Sequence, residues 1–146
     1  MNAKIDDLVP VVRDAAKRAI ADLIARGVPY VVTSTLRTLG EQEALYAQGR
    51  KSTDEVNAKR AAAGMYPISA GENSYTVTDC DGTTHKSKHQ GGRALDVVPS
   101  EGGRPVWPEW NDPRWKDIAS SFKAEGFEWG GDWEDFPDRP HYQMRG

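Results

Sequence analysis

Three side chains that could bind a metal ion lie in two short stretches of the sequence. His89 and Asp96 are seven positions apart in SKHQGGRALD, where Gly91 and Gly92 allow the chain to reverse and bring an imidazole nitrogen towards a carboxylate oxygen. His141 belongs to a second stretch, DRPH. A catalytic zinc ion takes three protein ligands of nitrogen and oxygen type and keeps a fourth position open for water. These residue types therefore predict a zinc site of His89, Asp96 and His141.

A candidate proton acceptor, Asp138, precedes His141 by three residues. If the intervening turn folds back, its carboxylate reaches the open position on the metal. There it could accept a proton from water and donate that proton to a leaving amine. The chemistry that the two stretches indicate is metal-assisted hydrolysis.

The elements that must position these residues follow first from apolar periodicity. Apolar residues at helical spacing predict a helix over residues 7–26. The β-branched residues of 30–36 predict a strand that has Arg37 at its end. In a strand over 94–98, side chains alternate between faces, so Asp96 points away from the side that its apolar neighbours bury.

Cap and turn signals predict the remaining elements, which are helices over 41–48, over 52–64 and from Pro113 to a stop at Gly126, and a hairpin of strands 75–78 and 83–86. Helices at the front, short strands in the middle and a late helix indicate one α+β domain. The sheet is predicted to be small and antiparallel, flanked by helices.

The composition narrows the class of protein. The chain has 146 residues, with 38% apolar and 28% charged residues and a net charge of −3. No apolar run is long enough to cross a bilayer, and the N-terminal segment, with its charges spread throughout, is unlike a secretory signal. Dispersed charges argue against a nucleic-acid partner, and a single cysteine, Cys80, cannot form an internal disulfide. We expect a monomer made in the cytoplasm, without membrane insertion.

The two stretches match the motifs of a known family. Residues 87–96 fit the pattern SxHxxGxAxD, and residues 138–141 resemble the pattern ExxH, of the LAS zinc peptidases that cut peptidoglycan stem peptides. Upstream, the segment around Arg37 resembles the SxxR and EQxxLYAQGR motifs of the L-alanyl-D-glutamate peptidase branch, many members of which are phage endolysins. Roughly residues 30–50 and 76–143 take part in the resemblance.

The resemblance implies a role for each matching residue. One zinc ion per chain would be bound by His89, Asp96 and His141. Asp138 would act as general base and then as general acid, although the family's acid is commonly glutamate, which is one methylene longer. Arg37 would stabilise the oxyanion or hold a substrate carbonyl.

Four further residues are implied in substrate binding. Ser87 and Gln42 match positions that line the substrate groove in relatives, and Trp129 or Trp133 would contact the stem peptide. The implied fold is an LAS-like α+β domain whose sheet carries the zinc site. Residues 1–146 would form a single catalytic domain without a separate wall-binding domain.

The implied activity is that of a zinc-dependent endopeptidase that hydrolyses the L-alanyl-D-glutamate bond of peptidoglycan stem peptides. Without a signal peptide, such an enzyme would act on the wall after release from the cell. A D-Ala-D-Ala carboxypeptidase would share the zinc core and differ in the pocket, and a catalytically silent wall-binding module would keep the metal alone. A zinc-stabilised structural domain fits less well, because such sites have four protein ligands and the sequence offers three.

Overall fold

The computed structural model describes residues 2–135 and 137–145. Its contacts divide the chain into two compact units, one of Arg37–Gly91 and the other of Asn2–Leu36 with Gly92–Gly146. We call the first the helical unit and the second the sheet unit. The expectation of a single catalytic domain over residues 1–146 stays a prediction.

The sheet unit is built on an antiparallel sheet. In the described residues its five strands are β1 (Tyr30–Ser34), β2 (Ala94–Glu101), β3 (Arg104–Pro105), β4 (Glu128–Trp129) and β5 (His141–Gln143). The main order is β1-β2-β5-β4, β3 pairs with the C-terminal end of β2, and every pair is antiparallel. The long strand β2 therefore lies between β1 and β5, where it can present a side chain beside each of them.

Two helices supply the rest of the core of the sheet unit, α1 (Pro10–Ala25) and α4 (Pro113–Ala124). The buried face of α1 repeats every three or four residues, which is the spacing of one helical stripe. The helix α4 starts as its sequence predicts, because Asp112 accepts a hydrogen bond from the amide of Arg114 and proline occupies the first helical position. These helices pack with β2 and the aromatic residues around β5 in one apolar cluster.

Tyr142 in that cluster carries a buried hydroxyl that has no hydrogen-bond partner in the described residues. Its ring stacks on Phe122, with centroids 4.5 Å apart. An unpartnered buried hydroxyl costs about 1–3 kcal/mol, so we expect Tyr142→Phe to raise the free energy of unfolding by about 1 kcal/mol in urea denaturation. Tyr142→Leu, which also removes the stacked ring, should lower it. A Phe variant less stable than the wild type would contradict this account.

The helical unit contains α2 (Leu39–Ala47) and α3 (Thr53–Ala62), which pack on each other. The first turn of α2 is closed by a reciprocal capping box, in which Thr38 accepts from the amide of Glu41 and the Glu41 carboxylate accepts from the amide of Thr38. Ser52 caps α3 in the predicted manner, through the amide of Glu55. No helix in the described ranges is long and apolar enough to cross a membrane.

The predicted α+β class with a small antiparallel sheet is confirmed, and one predicted element is wrong. Residues 75–78 and 83–86 form no hairpin. The cause is local, because the Asp81 carboxylate accepts hydrogen bonds from the amides of Thr83 and His85, each at 2.9 Å. Such side-chain bonds offer the backbone an alternative to a strand ladder.

Candidate metal centre

Asp96 and His141 are direct cross-strand partners in the pairing of β2 with β5. Directly opposed residues place their side chains on the same face of a sheet. Here His141 Nδ1 lies 3.4 Å from Asp96 Oδ1, and both side chains are largely shielded from solvent. The predicted alternation of Asp96 against its apolar neighbours is thus the feature that places a carboxylate beside an imidazole.

His89 is held in a turn that the surrounding polar residues build. Its amide donates to Ser87 Oγ at 3.2 Å, and the amide of Ser87 donates to the side-chain oxygen of Gln90 at 2.9 Å. The His89 side chain is 1% exposed. After the turn, Gly92 has a φ of +69°, a left-handed conformation that explains why a glycine leads into β2.

The three predicted ligands can be tested against the demands of a zinc ion. One ligand atom each of His89, Asp96 and His141 lies within 4.8 Å of the other two. At ordinary zinc–nitrogen and zinc–oxygen distances, two ligands of a tetrahedral ion are about 3.4 Å apart. The Asp96–His141 separation of 3.4 Å meets that value, and the two imidazoles and one carboxylate are the donor types of a catalytic zinc site.

The electrostatics around His141 favour positive charge. Burial, the largest single effect, lowers the pKa of this imidazole, whereas the negative charge of Asp96 and the hydrogen bond that it accepts from the protonated ring raise the pKa. Gln143 and the charge of Asp138 act in the same direction, and the net effect raises the pKa of His141 above its usual value. The carboxylates that favour a proton on this ring would also attract a metal cation, which would compete with the proton for Nδ1.

The turn from Asp138 to His141 folds back as the sequence argument required. The amide of His141 donates to the carbonyl of Asp138 at 3.1 Å, which closes the turn. Three further hydrogen bonds hold the backbone of this turn. The amide of Asp138 donates to the Gly130 carbonyl at 2.9 Å, and the indole N–H of Trp129 donates to the Arg139 carbonyl at 2.7 Å. The carbonyl of Pro140 accepts from the amide of Val97 at 2.9 Å. The side chain of the candidate base Asp138 is exposed, and these four hydrogen bonds hold the backbone of the turn that carries it.

Arg37 follows β1 and is tied to the turn that carries His89. Its amide donates to the His89 carbonyl at 3.1 Å. Its guanidinium donates to Gln42 Oε1 at 3.2 Å. Gln42 is fully buried, and its amide nitrogen also donates to the carbonyl of Cys80 at 2.8 Å. These contacts orient the arginine side chain, while the predicted substrate contact of Gln42 stays a prediction.

The other predicted substrate residues differ in exposure. Trp129 is 6% exposed and packs in the core of the sheet unit, whereas Trp133 is half-buried with its ring centroid 5.3 Å from that of His141. Ser87 uses its hydroxyl to accept the His89 amide. That these three side chains touch a stem peptide stays a prediction.

The sequence analysis did not identify two residues that lie beside the site. Gly130 lies against Asp138, and Gln143 lies 2.8 Å from His141 Nε2 through its side-chain oxygen. The signal for Gln143 was its position two residues after His141 on one strand, because alternate residues share a face.

Comparison of the sequence with known proteins gives three matches. A family model described as D-alanyl-D-alanine carboxypeptidase matches residues 81–144. The chain is 32% identical over 145 residues to the peptidoglycan L-alanyl-D-glutamate endopeptidase CwlK of Bacillus subtilis (strain 168), covering 94% of this chain and 74% of that protein. It is 42% identical over 61 residues to the L-alanyl-D-glutamate peptidase of Listeria phage A118, covering 42% of this chain and 22% of the phage protein.

A solved structure shares the fold at lower identity. It is the vancomycin-resistance D,D-pentapeptidase VanY from a VanB-type cassette, solved as a mutant in complex with Zn(II). The TM-score is 0.59 at 17% identity, with 95% of this chain and 73% of that chain covered. The fold of the described residues is thus that of a known metallopeptidase.

Proposed function

Because this chain belongs to the LAS-type zinc peptidases, we propose that it is a zinc-dependent endopeptidase that hydrolyses the L-alanyl-D-glutamate bond of peptidoglycan stem peptides. One observation carries the proposal: two imidazoles and a carboxylate lie within 4.8 Å of one another, and a second carboxylate stands on the turn that leads into one of them. The endopeptidase specificity is supported by CwlK and the phage enzyme, which are both named for that bond.

In this proposal His89, Asp96 and His141 hold one zinc ion per chain. A zinc ion in such a site would supply Lewis acidity at the scissile carbonyl and would lower the pKa of bound water to about 7. Three protein ligands leave one position open for water or substrate, which is the arrangement of a catalytic site. The cross-strand pairing of Asp96 with His141 fixes two of the ligands on rigid elements.

Asp138 transfers the proton. It accepts a proton from the attacking water as the new carbon–oxygen bond forms at the L-alanyl carbonyl. It then gives that proton to the glutamyl nitrogen as the carbon–nitrogen bond breaks, so that the products are a free L-alanyl carboxylate and a free amino terminus on D-glutamate. Arg37 places a fixed positive charge where negative charge develops on the carbonyl oxygen.

The stem peptide is the proposed substrate, and the cell wall is the proposed place of action, as for a phage endolysin. Ser87, Gln42, Trp129 and Trp133 are the proposed substrate-contacting residues. Trp133 is the best placed of the four, because it is partly exposed and lies beside His141. A monomeric state and the absence of a nucleic-acid partner remain predictions.

A D-Ala-D-Ala carboxypeptidase is the second candidate, favoured by the description of the matching family model and by the fold shared with VanY. One peptide separates the two activities: N-acetylated L-Ala-D-Glu-L-Lys-D-Ala-D-Ala. The proposed endopeptidase releases N-acetyl-L-alanine and a peptide with free amino-terminal D-glutamate, both detected by mass spectrometry. Release of D-alanine would instead establish the carboxypeptidase, and an intact peptide together with binding to peptidoglycan would leave the silent wall-binding module.

A further inference from the structure

A chain of hydrogen bonds runs across β5 and β4 behind His141. The Nε2 atom of His141 lies 2.8 Å from Gln143 Oε1. The amide nitrogen of Gln143 donates to Glu128 Oε2 at 3.2 Å, and the indole N–H of Trp133 donates to Glu128 Oε1 at 3.0 Å. We call this chain the Gln143 relay, with Trp133, Glu128, Gln143 and His141 as its members.

The positions of these residues on β4 and β5 bring the side chains of the Gln143 relay together. His141 and Gln143 are two residues apart on β5, so their side chains lie on one face. Glu128 is the direct cross-strand partner of Gln143 in the pairing of β4 with β5. The register of β4 against β5 therefore places Glu128 beside Gln143, just as the register of β2 against β5 places Asp96 beside His141.

The chemistry of the members fixes the direction of every bond. An ionised carboxylate only accepts hydrogen bonds, so Glu128 must face the NH2 group of Gln143. The carbonyl oxygen of Gln143 then faces His141, and that oxygen can only accept. His141 Nε2 must therefore carry a proton. When the ring is neutral, Nδ1, the atom 3.4 Å from Asp96 Oδ1, keeps its lone pair.

Glu128 is well suited to anchor this order. The hydrogen bond from Trp133 lowers the pKa of its carboxyl, burial opposes the shift, and Gln143 and Arg145 lower the pKa further. Arg145 Nε also donates to Glu128 Oε2 at 3.3 Å. The carboxylate thus stays charged at neutral pH and holds the amide of Gln143 in one orientation.

We propose that Gln143, oriented by Glu128, is a positioning residue that holds His141 in the Nε2-protonated tautomer, so that Nδ1 is the atom presented to the metal. This inference rests on the proposed zinc site and deepens it. Partners that bond the distal nitrogen of a ligating histidine fix its ring and raise its basicity, and their loss typically costs 10- to 100-fold in metal affinity.

Two variants test the relay, with a matched control. Gln143→Leu removes both the carbonyl oxygen that faces His141 and the NH2 group that faces Glu128. We expect about 10- to 100-fold weaker zinc binding, measured in competition with a chromophoric chelator. Glu128→Gln keeps hydrogen bonding to Trp133 but no longer dictates the direction of the amide, so we expect a smaller loss in the same direction. Gln48→Leu breaks a glutamine hydrogen bond to the Glu72 carbonyl elsewhere and should leave zinc affinity unchanged.

A second readout needs no metal. Long-range proton–nitrogen NMR of the metal-free protein, above the titration range of imidazole, reports the tautomer of each of the three histidines. We expect Nε2-protonated His141 in the wild type and a tautomer mixture in Gln143→Leu. A folded Gln143→Leu variant with unchanged zinc affinity and unchanged tautomer would overturn the relay alone. A wild type that binds no zinc would overturn the zinc site and this inference with it.

Discussion

Replacing Asp138 with asparagine should lower kcat/KM for stem-peptide hydrolysis about 1000-fold while zinc content stays at one ion per chain. General acid–base catalysis contributes about 100- to 10,000-fold, and an amide of the same shape can neither accept the proton of water nor return it to the leaving nitrogen. The backbone bonds that hold the turn do not involve the Asp138 side chain, so the fold should persist. Steady-state kinetics on a defined stem peptide, with metal analysis of the same sample, measure both quantities.

The companion variant for this prediction is Asp138→Glu. It keeps a carboxylate and extends it by one methylene, which gives the glutamate of the ExxH motif. We expect it to be more active than Asp138→Asn, because a carboxylate at a displaced position still transfers protons. An Asp138→Asn variant that keeps more than about a tenth of the wild-type activity would rule out Asp138 as the general base, because general acid–base catalysis contributes at least about 100-fold.

Gly130→Ala should lower activity about 100-fold without touching any group that takes part in the chemistry. A methyl group at this position would overlap the carbonyl oxygen of Asp138 and lie 3.1 Å from its Cβ. Both neighbours belong to a turn held by backbone hydrogen bonds, so the turn can relieve the clash only by moving the base. Misplacing a catalytic group by about 1 Å costs about 100-fold.

Gly71→Ala is the control for this substitution. Its added methyl group would meet only Ser69 Oγ at 3.7 Å, an ordinary contact. Thermal unfolding of both variants separates lost stability from lost activity, and assays well below the melting temperature of Gly130→Ala isolate the effect on the base. Wild-type kcat in a folded Gly130→Ala would show that the base does not depend on this contact.

The sequence predicted the elements whose signals are local. The apolar stripe of α1, the β-branched run of β1 and the proline at the start of α4 each depend on residues within one or two turns of one another. The helix α2 begins at Leu39, earlier than predicted, although Thr38 and Glu41 form the same capping signal that was used for Ser52. The hairpin failed for a related reason, because Asp81 satisfies nearby amides itself.

The sequence predicts the residues of the proposed site but not the residues that support them. Motif spacing indicates His89, Asp96 and His141 as ligands, and the alternation of a strand gives the orientation of Asp96. The contact of Gly130 with Asp138 depends on how the loop between them closes, which no local pattern reveals. Gln143 meets Glu128 only because of the register of β4 against β5. Tertiary pairing decides both contacts, so they appear only in three dimensions.

The most direct test is a zinc titration of the metal-free protein during digestion of purified peptidoglycan. Mass spectrometry counts the new amino-terminal D-glutamate and carboxy-terminal L-alanine groups at each step. Our account predicts no cleavage in chelator and a rate that rises with added zinc and saturates at one ion per chain. Cleavage at this bond that is indifferent to chelator, or zinc-dependent release of D-alanine alone, would contradict the account.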